Sequence, residues 1–125
     1  MPWKIQLIDN PPAVAVEASG PMKLALVKEL AAEALGEAAS HELHKFLVDD
    51  REMVPDLSTL ELHQLPNILE RMGLGKRDRV AVVYCERSPK AEDFRFFENT
   101  AINRGFDIRL FTDLNQATDW LRSGG

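Results

Sequence analysis

Arg79-Val80-Ala81-Val82-Val83-Tyr84-Cys85 is the stretch on which the fold turns. Its apolar residues do not alternate with polar ones, so both faces of the strand must be covered, as in parallel sheets flanked by helices. A parallel neighbour needs a crossover of a dozen or more residues, usually a helix. The chain offers one on each side. Upstream, Ser58 with Glu61 makes a capping-box pattern, Leu62, Leu65, Leu69 and Met72 continue on one helical face, and Gly73 and Gly75 supply a stop. Pro66 falls inside that helix, and its ring is expected to kink or split it. Downstream, Ser88 and Pro89 open a helix that carries Phe94, Phe97 and Ala101 on one stripe and closes at Gly105.

Working outward, Lys45 to Asp49 reads as a strand around Phe46-Leu47-Val48, and Asp107 to Phe111 as another. Thr112 or Asp113 caps a last helix with Leu114, Ala117 and Leu121 inward. At the other end, Trp3 to Ile8 alternates as a half-buried strand, Asn10-Pro11-Pro12 ends it, and Ala13 to Ala18 returns as the second arm of an antiparallel hairpin. Pro21 then stands in the first turn of a helix over 21–39, with Leu26, Val27, Leu30, Ala34 and Leu35 at helical spacing. The order is β-β-α-β-α-β-α-β-α. That predicts an α/β fold with a mixed, mostly parallel five-stranded sheet and right-handed crossovers, in a single domain over 1–125.

Composition narrows the function classes. Of 125 residues, 45% are hydrophobic and 28% charged, which predicts a packed core and argues against disorder. A net charge of −5 argues against a nucleic-acid partner, which would need a concentrated excess of Lys and Arg. The longest apolar stretches, Ala13–Ala18 and Val80–Cys85, are far shorter than the ~20 residues a spanning helix requires. No basic-then-apolar signal segment opens the chain, so a cytoplasmic protein is expected. Cys85 is the only cysteine, which excludes an intrachain disulfide and a cysteine metal cage.

The element order, the strand end Phe46-Leu47-Val48-Asp49, and the closing Ile108-Arg109-Leu110-Phe111-Thr112-Asp113 with Ala117 and Trp120-Leu121 carry a resemblance. Over essentially its full length the chain resembles the STAS domains of the SpoIIAA-like family. That resemblance implies a βα superhelix, with helices stacked along a parallel sheet behind an opening hairpin strand, and non-enzymatic work. In the family's anti-sigma-factor antagonists, a Ser or Thr at the start of the second helix is phosphorylated by a partner kinase, which controls protein association. Relatives grouped with lipid-transfer domains bind apolar ligands. The antagonist motif is an Asp, two small hydroxyl residues and a Gly. The corresponding stretch here, Asp49 to Leu60, keeps Ser58 and Thr59 at the element boundary but lacks the Gly and reads as a longer loop.

Each candidate site has a plainer reading beside it. Ser58 and Thr59, with Asp49 and Asp56, are the candidate phosphoacceptor or partner contacts. A phosphate on Ser58 would meet the positive end of a helix but also a crowd of carboxylates, and a simple helix cap explains the residue as well. Asp49 and Asp50 lie where open α/β sheets bind ligands, yet read as solvated loop carboxylates. His41 and His44 have ligand-like spacing but fall at a helix-to-strand junction, so no metal is expected. Cys85 lacks the Arg-bearing loop of a phosphatase and reads as a buried structural thiol. Phe94, Phe96 and Phe97 with Trp120 are candidates for lining a pocket between the last two helices, against ordinary core packing, with Phe96 on a different side from the other two.

The expected function is a non-enzymatic regulatory module that docks a protein partner along the edge from Asp56 to Leu60. The alternative is a small domain that binds an apolar ligand or lipid between its helices, using Met53, Leu57, Leu62 and Phe96. A second copy of the chain is a further candidate partner, and no cofactor is expected. An enzyme would need a convergent nucleophile, base and orienting group, and the sequence offers no such set.

Overall fold

A computed structural model describes residues 2–123. Its elements are β1 (Trp3–Asp9), β2 (Pro12–Met22), α1 (Leu24–Ser40), β3 (Lys45–Pro55), α2 (Thr59–Met72), β4 (Arg79–Val83), α3 (Ala91–Asn103), β5 (Asp107–Phe111) and α4 (Leu114–Ser123). The strands form one five-stranded sheet in the order β1-β2-β3-β4-β5. β1 and β2 are antiparallel, joined across the Asp9–Pro12 pair, and every later pairing is parallel. Parallel neighbours that are also consecutive in the chain require each connecting helix to climb across the sheet, which is the expected mixed α/β order.

The helices divide between the two faces. Val14, Val16, Phe46, Val82 and Ile108 point to a core shared with Ala34 and Ala38 of α1 and Phe94 and Ala101 of α3. The residues that alternate with them, Leu47, Ala81 and Val83, meet Ala117 and Leu121 of α4. β4 is therefore covered on both faces, which accounts for its unbroken apolar sequence. Leu114 is exposed and lies outside this packing, so of the three residues expected inward only Ala117 and Leu121 are, with Trp120 packed partly buried against them.

Other boundaries differ from expectation for identifiable reasons. β2 continues through Pro21, pairing Pro21 with Val54 and Met22 with Pro55, and α1 begins only at Leu24. β1 pairs with β2 no further than Ala18, so Pro21 stands where one side of β2 is free and the missing N–H interrupts no ladder. α2 is one uninterrupted helix despite Pro66, which is almost completely buried with Leu62 and Leu65 on its inner face. Packing there holds the helix across the lost hydrogen bond. β4 ends at Val83, leaving Cys85 half-buried in the following loop, and α3 starts at Ala91, not at Ser88. Among the described residues, no helix is long and apolar enough to cross a membrane.

Candidate functional site

The site originates in an irregularity of β3. Glu17 pairs with Asp49 and Ser19 with Glu52, so two steps along β2 match three along β3. That extra residue is a β-bulge, which unpairs one position, bends the strand and re-aims side chains. Before the bulge, Phe46, Val48 and Asp50 face α1–α3; after it the inward positions become Met53 and Pro55. Asp49 and Arg51 face the other way, beside Lys4 and Glu17. The stretch read as a loop is thus strand up to Pro55, and only Asp56 to Ser58 separate it from α2.

Between the sheet and α1–α3 lies a cavity of about 170 Å³. Its walls are hydrocarbon: Val27, Leu30 and Ala31 from α1, Leu62 and Leu69 from α2, and Phe97 from α3 are representative. Val27 and Leu30 fall on the expected apolar stripe and Ala31 beside it, and all three are half-buried where they border the cavity. Asp50 from the bulge and Asp93 from the first turn of α3 also border the cavity, but they present almost no polar surface to it. Asp93 keeps Lys90 at 3.9 Å.

Asp50 is 7% exposed, and its Oδ1 has no hydrogen-bond partner. Burial, reinforced by the charge of Asp49, raises its pKa from 3.8 to about 7. Its expected role as a solvated loop carboxylate is therefore wrong, because the bulge turns it into the interior. Asp49 behaves oppositely: two hydrogen bonds from the Arg51 guanidinium, at 2.9 and 2.7 Å, hold its pKa below the usual carboxylate value.

The expected site residues are distributed over three places. Met53, Leu57 and Leu62 line the cavity, whereas Phe96 does not; Phe94 and Phe97 take that position. Trp120 is on the far side of the sheet against Phe111, with ring centroids 5.6 Å apart, so no pocket joins it to the α3 phenylalanines. Ser58 caps α2: its Oγ accepts from the Glu61 N–H at 3.1 Å, and its own N–H donates to Glu61 Oε1 at 2.9 Å. Thr59 and Asp56 are exposed beside it, and Asp56 lies 3.2 Å from Lys23. Asp49 is on the opposite face and does not join that group.

The outer face of α2 and α3 carries a patch that the sequence reading did not assemble. Leu60 is 62% exposed and Phe96 37% exposed. His63, one helical turn after Leu60, places its ring 6.5 Å from that of Phe96. Leu60 closes the Asp56–Leu60 edge expected from the sequence, whereas His63 was not expected beside it. His41 and His44 diverge: the His41 ring meets the Glu37 carbonyl at 3.1 Å, and His44 pairs with Asp78 at 2.8 Å.

No protein-family model and no curated protein matches the sequence. Solved structures do. An anti-sigma factor antagonist from Mycobacterium paratuberculosis superposes with a TM-score of 0.62 and 20% identity, covering 97% of this chain and 95% of that one. An uncharacterised protein with a SpoIIAA-like fold from Shewanella loihica gives 0.58 at 24% identity, covering 95% and 91%. The Bacillus cell fate determinant SpoIIAA in its phosphorylated form gives 0.56 at 13% identity, covering 96% and 99%. The chain has the SpoIIAA-like fold of STAS domains.

Proposed function

We propose that the chain is a non-enzymatic regulatory module of the cytoplasm that docks a protein partner on the outer face of α2 and α3, with Asp56, Ser58 and Thr59 at the rim. The observation that carries this reading is the exposed Leu60–His63–Phe96 patch directly beside the α2 cap. An aromatic and an aliphatic side chain left in water beside polar residues are what a protein interface buries at its centre. The likeness of the fold to an anti-sigma factor antagonist supports a regulatory role over a catalytic one. Photo-crosslinking tests it: a benzophenone amino acid at position 60 or 96 should trap one discrete polypeptide in cells. The same probe at Leu114, on α4, should trap none; equal yields from both faces would contradict the assignment.

A second reading rests on the cavity, which favours a small apolar ligand between the helices. At about 170 Å³ it is smaller than the ~300–1,000 Å³ of pockets for drug-sized ligands, but above the ~150 Å³ that suffices for benzene.

A further inference from the structure

The two edges of the sheet are not alike. On β5 the main-chain groups of Phe111 face β4, since the Tyr84 N–H donates to the Phe111 carbonyl at 2.9 Å, so Leu110 turns its N–H to the outer side. There the Glu98 carboxylate accepts it at 2.8 Å, which blocks that edge against a further strand. β1 has no such cover. The Ser19 N–H donates to the Pro2 carbonyl at 2.8 Å, and this fixes the alternation along the hairpin. Lys4, Gln6 and Ile8 turn their main-chain groups to β2, whereas Trp3, Ile5, Leu7 and Asp9 turn theirs to the open side. Among the described residues no strand pairs there. The side chains of Trp3 and Ile5 pack toward α1, but Leu7, on the same face, is 41% exposed and outside every buried cluster.

We propose that β1 pairs antiparallel with β1 of a second copy of this chain, about a two-fold axis at Gln6, so that the two sheets continue as one. The strand is complementary to itself in that register. Residues with outward main-chain groups must meet each other, and centring on Gln6 does this over the whole strand: Trp3 meets Asp9 of the second copy, and Ile5 meets its Leu7, giving about eight backbone hydrogen bonds. The exposed Leu7 is thereby set against an isoleucine, twice across the axis, as an apolar cross-strand pair. Lys4 falls opposite Ile8, so no like charges are directly opposed. The arrangement also closes, because the outer edges of the joined sheet are then the two β5 strands, each blocked by its Glu98. A contact of one seven-residue strand is below the ~1,200 Å² of stable interfaces, so a dissociation constant on the order of 100 μM is expected. At a few micromolar the copies are separate, and docking on α2 and α3 is independent of this edge.

Sedimentation equilibrium of the full chain from about 10 μM to about 1 mM tests the association. The wild type should pass from one chain mass to two, and Leu7→Lys should weaken the association at least about ten-fold. Cross-linking tests the register without relying on that variant. In a Cys85→Ser background, Gln6→Cys places two thiols at the axis, with Cα atoms about 4.5 Å apart, within the span of a disulfide. Lys4→Cys places them roughly 13 Å apart, beyond it. Mild oxidation at about 1 mM should therefore link Gln6→Cys into a covalent dimer and leave Lys4→Cys as single chains. The proposal is overturned if the wild type remains a single chain at about 1 mM, if Leu7→Lys associates as tightly as the wild type, or if the two cysteine variants link equally.

Discussion

Asp50 couples the stability of the chain to pH. Its folded pKa lies above its unfolded value of 3.8, at about 7, so between these values the native chain holds a proton that the unfolded chain has released. The contribution of this group is fully present below its unfolded pKa and is lost as pH rises through 7. Asp49, with a lowered pKa, acts in the opposite sense: its contribution is present above 3.8 and is lost only as pH falls below that value, outside the Asp50 window. Asp50→Asn is therefore expected to flatten the decline between about pH 4 and 7 and to stabilise the chain at the upper end by on the order of a few kcal/mol. Urea denaturation across that range measures it, and a variant that keeps the wild-type slope would contradict the assignment. Ser58→Ala should cost about 1 kcal/mol through the lost cap, read in the same experiment. The cap was legible because Ser58 and Glu61 announce it by residue type and spacing. Asp50 was not, because Asp49-Asp50-Arg51-Glu52 is a run of charges with no period, and a bulge that turns one of them inward leaves no mark in residue type.

Among the elements, β4 and the inner stripe of α2 were legible because their patterns follow directly from burial on two faces and on one. The ends of β2 and β3 were not. Pro21 resembles a helix start as much as a free strand edge, and the charged run Asp49–Glu52 hides that β3 goes on to pair Met53, Val54 and Pro55 with β2. The apolar stripe of α1 was also readable, although nothing in it distinguishes residues that touch the sheet from residues that border a void. That void makes a prediction for the helix. Ala31→Leu adds methyl groups into open space and should stabilise the chain by roughly 1 kcal/mol. Destabilisation by a similar amount in denaturant titrations would mean that the space is closed in solution. Leu121→Ala, in the filled layer beneath α4, should instead cost about 2–5 kcal/mol, which separates a packed face from an unfilled one.

For the whole molecule, the two faces of the sheet carry different work. α4 closes one face with a tight apolar layer, while α1–α3 enclose a cavity on the other and α2 and α3 expose the patch outside it. The proposed ligand and partner sites would thus share α2 and α3, the wall of the one being the back of the other. The patch was only half legible. Phe96 stood out as the phenylalanine off the inward stripe, but its neighbour His63 comes from another helix and is brought there by folding alone. Leu60→Asp tests docking without disturbing the core, since the side chain is exposed and an acidic residue in the first turn of α2 suits the helix dipole. The decisive measurement is native mass spectrometry of the wild-type chain and Leu60→Asp, each purified from the protein's own cells. Docking on this face predicts a complex with a second polypeptide for the wild type and the bare chain for the variant, with unchanged thermal stability. A bare wild-type chain, or a complex that survives the substitution, would contradict it.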